Sequence, residues 1–344
     1  MKILFLMPHL KISGGNRIAL NYAHFLAERG YDVEVLVSSR SFWRRRLANF
    51  LKVKIGWYKN LKAKIVRVKD FEAENLPDAD IVVACAWYRA EAMMNYPKEK
   101  GVKFHLIMHD ERLYHGSQDK VDEVYKFNSH KIVISNWIAE RLEKDFGQKS
   151  EVLLTPVDFD LFHPVDVPRN KNEIKVLMLH HTYEWKGVDE GLKAFQAVKA
   201  KYSNLKLVLY GARAEKPEIP HDKYYYNPPQ KKLREIFSSV DIFLCPSEWE
   251  GLGMPAMEAM ACKTCVVTYD TGGSRDYAFD GKNALVAEHK NVDDLTRKLE
   301  MAVGDKELRD RLAQAGYDFI HNEIDTWQKS TDKLEKIFKD SLEK

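Results

Sequence analysis

Short apolar runs alternate with helical patterns along the whole chain, and this alternation most limits what it can fold into. Strand-like runs fall near 3–7, 32–38, 64–68, 80–84, 104–108, 131–135 and 151–154. Strands alternating with helices build parallel sheets rather than a β sandwich. Between the first two strands, RIALNYAHFLAERG places Ile18, Ala19, Tyr22, Ala23, Phe25 and Leu26 on one helical face. Gly30 then closes that helix as a C-cap would. The polar, proline-containing stretch 164–173 reads as a linker. After it the pattern restarts, with strands near 174–180, 205–210, 241–245, 264–268 and 284–286. From about 305 the chain is helical, with Trp327 and Leu334 among its apolar positions. The expected organisation is α/β: one Rossmann-like domain over 1–164, a second over 165–324, and a helix over 325–344 that packs back on the first.

At 344 residues the chain is long enough for two domains, each with its own core. It holds no run of 18 apolar residues, so no spanning helix is expected. The start, MKILFLMPHLKISGG, reads as a first strand, because a signal peptide needs a longer apolar core and a small-residue cleavage site. Cys85, Cys245, Cys262 and Cys265 are too few for a disulfide framework. Cys262 and Cys265 form a C-x-x-C with no second pair at zinc spacing, which points to buried packing. A cytoplasmic protein is expected.

Two glutamates eight positions apart, Glu250 and Glu258, mark the most specific local pattern. The run 240–247 reads as a buried strand, and Glu250-Gly251-Leu252-Gly253-Met254-Pro255 as a turn whose glycines let backbone approach a ligand. Pro255 suits the first turn of a helix, which puts Glu258 in that turn and Glu250 on the loop before it. Strand, glycine loop and helix N-terminus make a ligand site at the carboxyl edge of an α/β sheet. On spacing alone two readings stand: carboxylates accepting from paired sugar hydroxyls, or a solvated loop Glu and a Glu favouring the helix dipole.

The full run S-x-x-E-G-x-G-x-P-x-x-E-A-M-A-C over 247–262 resembles the E-x7-E signature of retaining family 4 glycosyltransferases. These are GT-B proteins, two Rossmann-like domains facing a central cleft. The resemblance implies transfer of a sugar from a nucleotide diphosphate sugar to an acceptor hydroxyl, with configuration retained and with neither metal nor cofactor. It implies that Glu258 binds the ribose hydroxyls and Glu250 the donor sugar. Gly251, Leu252 and Gly253 would line that loop.

Further matches extend the likeness. Lys186-Gly187 resembles the family's diphosphate-binding K-G, but His181 stands where an Arg is usual. An Arg clamps phosphate at any pH and a His only when protonated, so either His181 serves or a neighbour supplies the charge. His180 and His181 are not expected to bind metal, since adjacent side chains on a strand face opposite sides. Gly14 and Gly15 resemble the family's glycine loop and lack the spacing of a dinucleotide binder. His109, at the end of a strand, fits the histidine that contacts the donor sugar. Gly272 and Gly273 resemble a second glycine pair, followed by Ser274-Arg275 where Pro-Glu is common. Arg275 either adds charge near the ligand or is solvated. The D-x-D pairs Asp78/Asp80 and Asp158/Asp160 are set aside as metal sites: Asp80 opens a strand, and Asp158 lies in an interdomain-like segment. With Lys186 and His181, the amides of Gly14, Gly15, Gly272 and Gly273 would stabilise the leaving diphosphate.

Residues 35–69 carry eleven Lys or Arg and no Asp or Glu, interleaved with Phe42, Trp43, Phe50, Trp57 and Tyr58. Such a segment suits an anionic membrane surface; the plain alternative is a solvated basic face around the acceptor cleft. No recognition motif accompanies it, so nucleic acid is not an expected partner. The expected partners are a nucleotide-sugar donor, a glycan or lipid-linked acceptor, and a membrane surface met peripherally. Rival readings are a non-catalytic scaffold of this fold and a nucleotide-sugar epimerase.

Overall fold

Each half of the chain closes its apolar runs into one parallel sheet. The computed structural model describes residues 1–39, 55–58, 60–113, 117–212 and 217–343. By internal packing the chain divides into two units, Met1–Thr155 with Trp327–Lys344, and Pro156–Thr326. Both are Rossmann-like α/β.

The first unit contains β1 (Lys2–Leu6), α1 (Gly14–Glu28), β2 (Asp32–Ser38), β3 (Lys64–Val68), β4 (Ile81–Ala84) and α2 (Trp87–Met94). It continues through β5 (Val102–Ile107), α3 (Gln118–Lys126), β6 (His130–Val133), α4 (Asn136–Phe146) and β7 (Glu151–Val152). The strand order is β3-β2-β1-β4-β5-β6-β7, every pairing parallel. The direction of winding reverses between β1 and β4, and ligands of such sheets bind at the carboxyl ends beside that point. Ile18, Ala19, Tyr22, Ala23 and Leu26 are buried, while Phe25 is half-buried. Gly30 takes φ +88° just past α1. Its amide donates to Ala27 O and that of Tyr31 to Leu26 O, a Schellman ending that satisfies two helix carbonyls.

The last helix, α10 (Trp327–Leu342), packs on α1. Trp327 meets Tyr22 edge-on at 5.3 Å between ring centroids, and Tyr22 Oη lies 2.8 Å from Ser330 Oγ. An aromatic pair of this kind adds about 0.5–1.5 kcal/mol beyond its buried area.

The second unit contains β8 (Ile174–Leu179), α5 (Val188–Lys199), β9 (Leu205–Gly211), β10 (Lys223–Tyr226), α6 (Gln230–Ser239), β11 (Ile242–Cys245) and α7 (Met254–Ala261). Then come β12 (Cys265–Tyr269), β13 (Leu285–Ala287), α8 (Val292–Gly304) and α9 (Lys306–Glu323). The order is β10-β9-β8-β11-β12-β13, again all parallel, with its reversal between β8 and β11. Val176, Leu244, Val267 and Leu299 are among the fully buried residues of its core.

Three expectations need correcting. The first unit ends at Thr155 rather than 164, because Phe162 is buried against Phe237 and the amide of Val165 donates to Ser238 Oγ. The strand β10 had no counterpart in the sequence reading. Glu258 is the fifth residue of α7, beyond its first turn, because the helix starts at Met254 with Pro255 second. The helix dipole therefore does not account for Glu258, whose charge lies a turn from the unsatisfied amides.

Candidate active site

In the second unit three loops leave the carboxyl edge of the sheet at or next to its reversal point. The loop after β8 makes a 3-10 turn over Glu184–Lys186 and passes through Gly187 at φ +60°. A Cβ on Gly187 would stand 1.9 Å from Pro246 O, so this loop lies directly on the end of β11. The amide of Glu248 donates to Trp185 O at 2.7 Å and completes that seam. Lys186 Nζ then reaches across to donate to Glu250 Oε1 at 2.6 Å, with both side chains largely buried.

The loop after β12 is fixed to the same place. The amide of Glu250 donates to Thr271 O at 3.1 Å, and Glu250 forms a parallel bridge with Gly272. A Cβ on Gly273 would stand 2.5 Å from Leu252 Cα, and one on Gly253, at φ +110°, 2.4 Å from Tyr277 Oη. Thr271 and Ser274 cap each other: the amide of Thr271 donates to Ser274 Oγ at 2.9 Å and that of Ser274 to Thr271 Oγ1 at 3.2 Å. The glycines are thus required where backbone meets backbone or a phenol.

These loops gather Lys186, Glu250, Gly251, Leu252, Gly253, Gly272 and Gly273. Glu258, on α7 itself, is 4% exposed. Burial, helped by the Glu250 charge, pushes the Cys245 thiol and the Tyr277 phenol up, so both stay neutral beside it. His181 lies past the end of β8, its ring 4.4 Å from that of Tyr183, and its Nδ1 accepts from the Tyr183 amide at 3.1 Å. Arg275 is exposed and forks onto Asp270 at 2.9 Å, which answers the question the sequence left open: its charge is matched locally. Cys262 and Cys265 are buried free thiols, pushed up to about 12 by burial.

In the first unit Gly14 and Gly15 are the opening residues of α1, not a separate loop, and their amides precede any helical acceptor. Ser13 Oγ caps the helix by accepting from the Asn16 amide. Asn16 Nδ2 donates to Lys11 O and to His9 Nδ1, each at 2.8 Å. Burial and then Lys11 hold His9 below the ordinary histidine value, which suits a neutral ring that accepts. Gly15 packs against Met108, and His109 follows β5 by two residues. Sequence reasoning missed His9, Asn16 and the Thr271–Ser274 cap. The last was legible as a T-x-x-S pair after a strand.

Among the described residues no group of three or more His, Cys, Asp or Glu side chains is placed to hold a metal ion. Asp80 Oδ2 accepts from the Lys2 amide and Asp158 Oδ1 from that of Leu161. No described helix is long and apolar enough to cross a membrane. Most of the basic run, residues 40–54 and 59, lies outside the described residues; within it Trp57 Nε1 donates to Leu10 O and Tyr58 Oη to Asn21 Oδ1.

Each unit is a parallel α/β sheet with one reversal of winding, and solved structures identify the architecture further. The chain superposes on sucrose-phosphate synthase from Thermosynechococcus elongatus with a TM-score of 0.79 over 98% of both chains at 15% identity. HepE of Anabaena, solved in complex with UDP-glucose, gives 0.78 over 99% of this chain and 100% of that one at 13% identity. At such identities the likeness concerns the fold, which is GT-B. Residues 162–319 match the family model of the group 1 glycosyl transferases. The lipopolysaccharide core biosynthesis glycosyltransferase LpsE of Rhizobium meliloti (strain 1021) is 25% identical over 329 residues, 90% of this chain and 91% of the relative. The matched domain and this relative make the chain similar to group 1 glycosyltransferases.

Proposed function

We propose that the protein is a retaining glycosyltransferase that takes its sugar from a nucleotide diphosphate sugar and uses no metal. The observation that carries this reading is the Lys186–Glu250 pair at the β8/β11 reversal, with Glu258 buried on the helix that follows the Glu250 loop. A cation, a loop carboxylate and a recessed carboxylate suit a diphosphate flanked by two hydroxyl-bearing rings. Lys186 would neutralise charge on the departing diphosphate, assisted by backbone amides at Gly272 and Gly273. Glu250 would accept from hydroxyls of the transferred sugar and Glu258 from those of the ribose. In the first unit His109 would contact the transferred sugar, and the amides at the start of α1 would face phosphate. His181 replaces an arginine and would add charge only when protonated.

A relative named for lipopolysaccharide core biosynthesis favours a cell-surface glycan or lipid-linked acceptor. The basic segment 35–69 would then hold the enzyme on an anionic membrane, at about 1 kcal/mol per basic residue near the surface. Sedimentation with phosphatidylglycerol vesicles at low salt tests the membrane contact, and an unbound protein would exclude it.

The main test is a thermal-shift panel of nucleoside diphosphates and their sugars in the presence of EDTA. A ligand at a hundred times its Kd adds about 2.7 kcal/mol, which moves the melting temperature visibly. One nucleotide should stabilise the wild type and not Glu258→Ala. Stabilisation by none would remove the transferase reading. The anomer released on slow donor hydrolysis, followed by NMR, tests retention.

A further inference from the structure

Between His181 and Lys186, the two side chains of the β8 loop that the reaction would use, stands Tyr183, which has no assigned role. Its amide donates to His181 Nδ1 at 3.1 Å, and its carbonyl accepts from the Lys186 amide at 3.0 Å. Its ring lies 4.4 Å from that of His181 and 4.3 Å from that of Trp185, and it stacks on the latter at an interplanar angle of 22°. Trp185 O accepts from the Glu248 amide, which ties the far end of this stack to the β11 loop. Tyr183 is 48% exposed, so its ring is held by the stack rather than by a core. One residue thus fixes both neighbours through its backbone and one of them through its ring as well.

The bond from the Tyr183 amide decides the chemistry of the histidine. A backbone N–H only donates, so Nδ1 is the acceptor and carries no proton. A neutral imidazole keeps its single proton on the other nitrogen, which makes Nε2 the donor of this ring. An imidazolium carries a proton on both nitrogens and would set one N–H against another at Nδ1. The ring can therefore take a charge only by parting from the Tyr183 amide. An arginine here would bring a fixed charge and a fork of donors; this loop instead offers one neutral donor in a set direction.

We propose that His181 meets the donor diphosphate as a neutral ring donating through Nε2–H, and that Tyr183 is the positioning residue that imposes this state. Lys186 is then the positive charge that the β8 loop brings to the diphosphate, and His181 contributes a hydrogen bond without charge. That His181 contacts a diphosphate rests on the glycosyltransferase reading. The state of its ring does not, since the Tyr183 amide sets it whatever binds.

The ring state is read by long-range 1H–15N NMR of the histidine side chains at pH 7.5, with the His181 signals assigned by their loss in His181→Ala. Wild type should show a single tautomer, Nδ1 bare and Nε2 protonated. Tyr183→Pro removes the amide proton at a residue whose φ of −77° suits proline, and should move the signals toward a mixture of the two neutral tautomers. Tyr183→Leu keeps the amide, loses the phenol ring and should keep the single tautomer, which separates the bond from the stack. A protonated Nδ1 in wild type, or a single tautomer that persists in Tyr183→Pro, overturns the proposal. Where the proline variant does not fold, the Tyr183 amide decides: it should be protected from hydrogen exchange in wild type and lose that protection in His181→Ala, and equal exchange in the two overturns the proposal. The diphosphate half is read by calorimetry with whichever of UDP, GDP and ADP binds wild type most tightly. His181→Ala should weaken binding about tenfold, the range for losing one hydrogen bond to a charged group. His181→Gln, whose side-chain amide donates without charge, should recover most of that loss, and a Gln variant as weak as the Ala variant overturns the neutral-donor role. Binding of none of the three by wild type overturns the transferase reading and the diphosphate half with it, while the tautomer result stands.

Discussion

Lys186 Nζ donates to Glu250 Oε1 at 2.6 Å, joining residues 64 positions apart. Each group thus holds the other in the place where the donor would need both. Replacing Lys186 by Met leaves a largely buried carboxylate without its ion partner, and removing one member of a buried pair costs more than the pair contributes. The pair is partly open to solvent, so Lys186→Met should cost about 1–2 kcal/mol of stability, less than for a fully buried pair. Transfer should fall about 10²–10³-fold, the range for losing one preorganised electrostatic donor. Thermal melting and single-turnover transfer measure the two separately. A variant that melts earlier yet transfers at the wild-type rate would confine Lys186 to structure.

Gly187 and Gly30 both have positive φ, but their surroundings differ. A Cβ on Gly30 meets nothing within 4 Å, whereas one on Gly187 falls 1.9 Å from Pro246 O. Gly30→Ala should cost about 1–2 kcal/mol, the left-handed penalty alone. Gly187→Ala must also push the β8 loop off the β11 backbone and should exceed about 4 kcal/mol, at the far end of single-mutant effects. Urea midpoints compare them, and equal losses would show that the β8 and β11 loops separate easily.

Glu258 is buried on the second turn of α7, where neither helix dipole nor solvent explains a carboxylate. If it serves the ribose, Glu258→Gln should keep the fold and weaken nucleotide binding about tenfold, since a charged acceptor contributes roughly 1.4 kcal/mol more than a neutral one. A 2′,3′-dideoxy nucleotide should then bind wild type and variant alike. Calorimetry with the nucleotide and its dideoxy analogue checks this. A variant that weakens both equally would separate Glu258 from the ribose.

Much of the architecture was legible because buried parallel strands are continuous apolar runs, as in VDIFLC before Glu250. The strand Lys223–Tyr226 was not. It is a short edge strand in which no residue is buried, so neither periodicity nor hydrophobicity marks it. The glycines, Lys186 and the two glutamates stood out as residue types at characteristic spacings. Their mutual placement did not, because the Lys186–Glu250 pair depends on β8 lying beside β11. The helix start at Met254 was not legible because Pro255 marks a first turn without fixing its first residue, and a positive φ at Gly253 cannot be read from sequence.

The seam between α1 and α10 should be sensitive to acid. Glu335 accepts from Lys339 Nζ and Tyr31 Oη at 2.6 Å and from Arg29 at 2.7 Å. Those partners, Lys339 foremost, hold its carboxyl at about 2, below the ordinary 4.5. A carboxyl depressed in the folded state contributes stability that is fully present above its unfolded value and is lost as pH falls through the folded one. The contribution should therefore be complete above pH 4.5 and fade between about 4.5 and 2. Glu335→Gln should melt earlier than wild type at pH 7, and the difference should close across that window. Arg29 also pairs with Asp332 at 2.8 Å, so Asp332→Asn is the control that keeps the Glu335 contacts. Melting curves at pH 7, 4 and 3 decide it: a Glu335→Gln deficit that persists undiminished at pH 3 would mean that packing around Trp327, not the carboxylate, sets the stability of this seam.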